Sequence, residues 1–381
     1  MKNFYPEQYE KTDIFPINHN YLSKQFADYD VIFNKIKEVI EQGDFTLGKA
    51  VDNFERDFSN LNGGAFAVSV GSGTDALFLS LKALNIGCGD EVITTPFTFY
   101  ATIGAIVTAG ATPIFVDAGK DFNIDASKIE KAITSKTKAI MPVHWSGNPC
   151  DMDEINSIAS QYGLVVVADA CHGIMSEYKG RGIAESATIS CFSMHPLKNL
   201  NIWGDGGAIV SNDKEIVERL TSIRNHGLQD RDTCVEFAYN SRLDTIQAVV
   251  AQHLLDHHIS NITECRIKNA NYLDAGFAEL KTVSLPKRSP DKKHVYHLYM
   301  GLFENRDKLI SYLHGHGIDA KVHYPVPMHL QPAAEKYGYK KGDFKCAEYI
   351  ADNCVSLPVH EFITQDELDF MIVKVREFYD N

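Results

Sequence analysis

The sequence lacks any excess of base: 37 lysines and arginines stand against 50 aspartates and glutamates, a formal net charge of −13 at pH 7. The cations are scattered and form no stripe, so nucleic acid or an anionic membrane is repelled overall and a small molecule is the expected partner. Long apolar runs are missing too. No stretch approaches the ~18 residues of a membrane span, and residues 1–7 carry no basic region leading into an apolar core. A cytoplasmic location is the resulting expectation. The eight cysteines include no C-x-x-C pair, which argues against a zinc ribbon and against a disulfide framework, and they are expected to be reduced. Fifteen histidines are present, but neither His257-His258 nor His314 with His316 has a carboxylate or cysteine nearby in sequence at ligand spacing. No metal site is expected on that ground. Low-complexity tracts are absent as well.

What is present is the composition of a folded protein: 381 residues, 44% hydrophobic and 23% charged. That length suggests two to three domains of ordinary size. Between residues 65 and 211, short β-rich apolar runs alternate with helical stretches. Strands are predicted over 66–70, 91–95, 113–116, 139–143, 164–168 and 188–192. The run Leu164-Val165-Val166-Val167-Ala168 is apolar at every position, as a strand covered on both faces requires. Helices predicted over 75–84, 102–109, 126–134 and 152–162 are long enough to act as crossovers. The fold class is therefore α/β, with a mainly parallel central sheet between helical layers. A helical stretch over 243–280 leads into a smaller α+β region. The predicted division gives a large domain with an N-terminal arm over 1–255 and a small C-terminal domain over 256–381.

Three segments carry chemistry. Gly71-Ser72-Gly73-Thr74-Asp75-Ala76-Leu77 runs from a strand through a glycine-rich turn into a helix. Exposed N–H groups, the helix dipole and a hydroxyl there suit phosphate. A tight turn capped by Thr74 or Asp75 fits the same residues equally well. Asp169 stands at the carboxyl end of a central strand, where ligands of open α/β sheets collect. A carboxylate in that place can pair with a protonated pyridine nitrogen, although an ordinary N-cap Asp reads the same. Lys198 sits in an apolar and aromatic stretch between Phe192-Ser193 and Trp203-Gly204-Asp205-Gly206-Gly207. Desolvation in such a stretch would depress its pKa and leave a nucleophilic amine, while a surface lysine in a glycine-rich loop is the plain alternative.

In that order, Gly73-Thr74-Asp75-Ala76-Leu77, Asp169-Ala170-Cys171-His172, Ser193-x-His195-x-x-Lys198-Asn199 and Gly204-Asp205-Gly206-Gly207 resemble the DegT/DnrJ/EryC1/StrS sugar aminotransferases. The likeness continues through Tyr239-Asn240-Ser241-Arg242-Leu243 and through His323-Tyr324-Pro325-x-Pro327-x-His329, and so spans nearly the whole chain. It implies the fold type I architecture, pyridoxal 5'-phosphate (PLP) as cofactor, and transfer of an amino group from glutamate or glutamine to a keto- or aldehydo-sugar. By the same resemblance Lys198 is the lysine that bonds the cofactor, Asp169 the partner of its ring nitrogen, and His172 the neighbour of its phenolic oxygen. Phe99 matches the aromatic that stacks on the ring. Gly73, Thr74, Asp75 and Ser193 match the phosphate cup, and Asn240 matches a residue reaching the phosphate of the other subunit of a homodimer. His323, Tyr324 and His329 belong to a loop at the mouth of the substrate pocket, which Pro325, Pro327 and Pro332 alone would also explain as a stiffened loop.

Two departures bear on the substrate. His144-Trp145-Ser146-Gly147 stands where many relatives have histidine before Leu-Tyr-Gly, and Leu228 follows Arg224-Asn225-His226-Gly227 in place of a common arginine. With Trp145 as a substrate-binding residue, the pocket looks closer to the branch that aminates oxidised octulosonate sugars of lipopolysaccharide than to the nucleotide-sugar branch. A nucleotide-linked keto-sugar is the alternative, with Arg181, Arg224, Arg231, Arg242 and Lys321 as the candidate cations. A family dehydratase would carry histidine in place of Lys198. A protein of this fold that binds a sugar or regulates without turnover is the reading from another class.

Overall fold

The computed structural model describes residues 15–20 and 22–380. The opening residues 1–7, read above for a leader, lie outside the described residues. Seven strands form the main sheet: β1 Phe66–Val70, β2 Glu91–Thr94, β3 Thr112–Phe115, β4 Thr137–Ile140, β5 Val165–Asp169, β6 Ile189–Ser193 and β7 Gly207–Ser211. Their spatial order is β1-β7-β6-β5-β4-β2-β3. Pairing is parallel from β3 through β6, and β7 runs antiparallel to both β6 and β1. All six predicted strands form, within three residues of their expected ends. Gly207-Ala208-Ile209-Val210-Ser211 was not among them, because nothing in those residues says that the chain turns back between β1 and β6.

Helices cover both faces. On one side Lys49–Leu61, Met152–Tyr162 and Thr245–His257 bury Phe54, Phe58, Ile155 and Val250. On the other, Gly73–Ala83, Tyr100–Ala109 and Lys214–Ile223 bury Leu77, Ala105 and Leu220. This double cover explains why β5 reads as an unbroken apolar run. The helix expected over 126–134 is instead two short 3-10 turns, Ala126–Lys128 and Glu130–Ala132. Asp125 stands at its start, but the carboxylate is spent on Ser127 Oγ (2.6 Å) and Lys128 Nζ (2.9 Å) and caps no backbone N–H. The predicted stretch 243–280 is broken at His258 into Thr245–His257 and Ile259–Phe277.

Toward the C-terminus a three-stranded antiparallel sheet, Val283–Ser284, Tyr299–Phe303 and Cys354–Leu357, packs with helices around Leu309, Val355 and Met371. Ile17 joins this core and bridges Ile318, so the N-terminal arm is bound to the C-terminal region. Among the described residues no helix is long and apolar enough to cross a membrane.

The register of the large sheet brings Val70 level with Gly207, Gly207 level with Ser193, and Cys191 level with Asp169. The carboxyl ends of β1, β5 and β6 therefore open on one side, where a crevice in an open α/β sheet is expected.

Candidate active site

A cavity of about 350 Å³ lies at those strand ends and runs under the C-terminal region. Its floor is built by three chain reversals. After β1, Ser72 caps helix Gly73–Ala83 by accepting from the N–H of Asp75 (3.0 Å). The first-turn N–H groups of Gly73 and Thr74, which line the cavity, are left for an anion. The packing there leaves no room for side chains. A Cβ on Gly73 would lie 2.6 Å from Ser193 Cβ and 3.0 Å from its Oγ, and one on Gly207 would lie 2.3 Å from the Ser72 carbonyl. Ser193 Oγ accepts from the N–H of His195 (3.3 Å), which keeps its own proton available for a ligand oxygen. Together these groups form a small cradle rich in donors.

Asp169, at the end of β5, is buried. Its Oδ2 accepts from Thr102 Oγ1 (2.7 Å) and its Oδ1 from the N–H of Cys171 (3.2 Å). A buried carboxylate whose oxygens accept from a hydroxyl and a backbone N–H suits a cationic ring nitrogen. His172 Nδ1 accepts from the N–H of Ser146 (3.2 Å). A backbone N–H can only donate, so the proton of the neutral ring sits on Nε2 and makes that atom a donor. Burial holds the His172 pKa well below the ordinary histidine value, with the Lys198 charge acting in the same direction. The ring stays neutral. Trp145 packs against it (ring centroids 5.0 Å) and against Phe97 and Tyr324.

Lys198 lines the same cavity. Burial of its head group lowers its pKa from the usual lysine value, opposed by the neighbouring Cys171 and Asp169 side chains. A lowered pKa increases the fraction of free amine, the nucleophilic form. Phe99 stands at the cavity mouth, 43% exposed, with its ring near Tyr100 (5.2 Å) and Tyr324 (5.6 Å).

The donor set thus fits PLP. The cradle of Gly73, Thr74 and Ser193 would take its phosphate, Asp169 its ring nitrogen, the Nε2–H of His172 its phenolic oxygen, and Phe99 offers a ring face.

Two residues predicted for the site lie elsewhere. Asp75 is not on the cavity wall: its N–H is used by Ser72 and its Oδ2 accepts from Ser241 Oγ (2.8 Å), turning its charge away from an anion site. His329 is buried behind the mouth, 3.0 Å from Glu348 and packed on Phe344, since its loop folds inward at Met328. His323 and Tyr324 do line the cavity, with His323 Nδ1 2.9 Å from Ser356 Oγ. Asn240 is exposed and apart from this chain's own cavity. Trp145 lines it at only 1% exposure, as a backing for other rings. Of the five candidate cations only Lys321 reaches the cavity. Arg224 is buried against Glu55 and Ser69, and Arg242 bonds Asn225.

Sequence reasoning missed His19, Arg266 and His297, all on the cavity wall. They come from the N-terminal arm, a long helix and the edge of the small sheet, and no local signal joins those segments. Thr102 was visible only as part of a helix.

Residues 28–376 match the profile of the DegT/DnrJ/EryC1/StrS aminotransferase family. The chain is 39% identical over 364 residues to a "Pleiotropic regulatory protein" of Geobacillus stearothermophilus, covering 94% of this chain and 97% of that protein. It is also 39% identical over 344 residues to the dTDP-3-amino-3,4,6-trideoxy-alpha-D-glucose transaminase of Streptomyces venezuelae, covering 90% of each. The crystal structure of S. venezuelae DesV superposes with a TM-score of 0.93 at 36% identity, over 96% of this chain and 99% of that one. Matching solved structures include PLP-bound and pyridoxamine-phosphate-bound forms.

Proposed function

The chain belongs to the DegT/DnrJ/EryC1/StrS aminotransferase family and is a PLP-dependent sugar aminotransferase of the fold type I architecture, and we propose that its acceptor is a nucleotide-linked keto-sugar, with glutamate or glutamine as donor. The observation that carries catalysis is Lys198, its head group desolvated, in one cavity with the buried carboxylate of Asp169. When bound, PLP supplies a carbonyl that takes up the amino group and an electron-poor ring that spreads the charge left on the substrate carbon. The chain's own residues do the rest. Asp169, held by Thr102, would keep a proton on the ring nitrogen, His172, whose Nδ1 is taken by Ser146, would donate from Nε2 to the phenolic oxygen, and the free amine of Lys198 would carry the proton between the reacting carbons.

The choice of acceptor rests on two supports. The S. venezuelae relative acts, by its name, on a dTDP-linked sugar. Trp145 supports the octulosonate reading poorly, because at 1% exposure it has little face to offer a sugar. We also propose a cytoplasmic homodimer with shared sites. Phe99, Tyr100 and the fully exposed Phe237 leave apolar rings uncovered in the single chain, and Asn240 lies in the same exposed segment as Phe237.

Competition settles the acceptor. The pyridoxamine form of the enzyme is offered a nucleotide-linked keto-sugar together with an acidic octulosonate-type sugar. A preference of tenfold or more for the linked sugar, about 1.4 kcal/mol in the transition state, supports the proposal; the reverse preference overturns it and restores the lipopolysaccharide reading. The regulatory name of the Geobacillus relative makes a binding protein without turnover the other outcome to test. In that case glutamate leaves the cofactor's absorbance band unmoved.

A further inference from the structure

Asp28, His253 and His258 are brought together from positions more than 220 residues apart. Asp28 Oδ2 lies 2.8 Å from His253 Nε2 and 2.9 Å from His258 Nε2, and the three atoms all fall within 4.8 Å of one another. The carboxylate that the sequence did not show at ligand spacing from His257-His258 is thus supplied by the tertiary fold.

Asp28 stands at the N-cap of helix Tyr29–Gln42 yet makes no side-chain cap bond, so its carboxylate is committed to the two rings. His258 occupies the break between Thr245–His257 and Ile259–Phe277, which turns its ring back beside that of His253. His253 is buried, while the side chains of Asp28 and His258 are 37% and 34% exposed. One wall is therefore fixed and the other is open to solvent. Nothing in the described residues bonds His253 Nδ1, so no second hydrogen bond ties the ring's proton to Nε2.

We propose that Asp28, His253 and His258 bind one divalent transition-metal ion per chain, with Zn²⁺ the best fit. Two imidazole nitrogens and one carboxylate oxygen form a borderline set that suits Zn²⁺, Co²⁺ or Ni²⁺ and is poor for Mg²⁺ or Ca²⁺. Zinc bonds of about 2.0–2.2 Å in tetrahedral geometry need ligand atoms about 3.3 Å apart. The two observed separations must therefore open by about half an ångström, which the half-open Asp28 and His258 can accommodate. Coordination uses the Nε2 lone pair, so each imidazole proton moves from Nε2 to Nδ1, and water completes the sphere on the open side.

The ion clips the N-terminal arm in place. Gln25 Oε1 accepts from Asn201 Nδ2 (2.7 Å), and the Phe26 ring meets Trp203 (5.6 Å), so the residues just before Asp28 hold the loop that follows Lys198.

The test uses tag-free holoenzyme freed of metal by chelator, titrated with Zn²⁺ by calorimetry and with Co²⁺ by absorption. One ion per chain is expected, together with a Tm rise of a few degrees at ~100-fold excess over Kd. Asp28→Asn and His258→Gln, which keep the buried His253, should each weaken that site at least about tenfold and cut the Tm rise at the same Zn²⁺ concentration to about half or less, with the cofactor's absorbance band unchanged. Failure to bind, or binding at equal strength in both variants, shows a hydrogen-bonded trio only and overturns the proposal. Neither result depends on which sugar is aminated.

Discussion

Thr102 Oγ1 donates to Asp169 Oδ2 at 2.7 Å, and Thr98 Oγ1 lies 2.7 Å from Thr102 Oγ1 in turn. Since the Thr102 proton goes to the carboxylate, the Thr98 hydroxyl is the donor of the second bond. The chain of hydroxyls fixes the orientation of the Asp169 carboxylate, the group proposed to meet the ring nitrogen. Asp169→Asn should still bind PLP but lose at least about a hundredfold in kcat, because a neutral amide does not hold the nitrogen protonated. Thr102→Val should cost about tenfold, with cofactor affinity changed less than rate. Single-turnover measurements with glutamate read both effects, and an unchanged rate in Asp169→Asn would reduce that residue to a helix cap.

Lys198→Ala should abolish transamination while Tm stays near wild type, since the side chain already borders the open cavity and its loss creates no new sealed void. Retained turnover above about a hundredth of wild type contradicts its role. The absorbance band of the bound cofactor, which depends on the covalent bond to lysine, should change as well.

Gly73→Ala is a steric test of the cradle. Its Cβ meets Ser193 Cβ at 2.6 Å and Cys171 Sγ at 3.1 Å, so strand β6 or the start of the helix must shift. Cofactor affinity should fall by about tenfold or more, as followed by spectral titration, equivalent to about 1.4 kcal/mol. Equal affinity would show that the anion lies elsewhere.

Mixing tests the shared site. Lys198→Ala and Asn240→Ala proteins, each inactive alone, should on subunit exchange give heterodimers with one of two sites intact. Random pairing makes half of the dimers mixed, so roughly a quarter of wild-type activity should return. No recovery after exchange is demonstrated, or full activity in a monomer, would contradict a site built from two chains.

His144 carries a pH dependence. Its Nδ1 accepts from the N–H of Cys150 (3.1 Å), its Nε2 is buried with no partner among the described residues, and burial, aided by the Lys292 charge, pushes its pKa down to about 3. The unfolded chain takes up this proton near pH 6.5 and the folded chain resists until about 3. Stability from this group is therefore complete above 6.5 and falls as pH drops toward 3, by about 1.4 kcal/mol per pH unit. In His144→Asn the Oδ1 can replace Nδ1 as acceptor while the titration is gone. Urea unfolding at pH 6 and pH 5 should show the variant losing less stability by about that amount.

Local chemistry was readable in the chain. Strand β5 announces itself because burial on both faces demands apolar residues throughout. The Ser72-Gly73-Thr74 turn follows β1, Asp169 ends β5 and Lys198 lies in the loop after β6, so strand direction brings all three to one side of the sheet. Contacts that depend on the chain returning from afar left no such mark. Asp75 and His329 read as site residues, yet Ser241 and Glu348 draw their side chains away. Arg266 and His297 read as nothing in particular until the long helix and the small sheet close over the cavity. His258 had no carboxylate at ligand spacing within its own stretch of sequence, and Asp28 reaches it because the N-terminal helix packs on Thr245–His257. Periodicity and turn chemistry act over a few residues and so determined six of the seven strands and the glycine turn after β1, while the roles of that turn and of Lys198 came from the family resemblance. Which distant side chains meet is set by how preformed elements pack, a choice made by the summed burial of the whole core, and tertiary structure alone decided it.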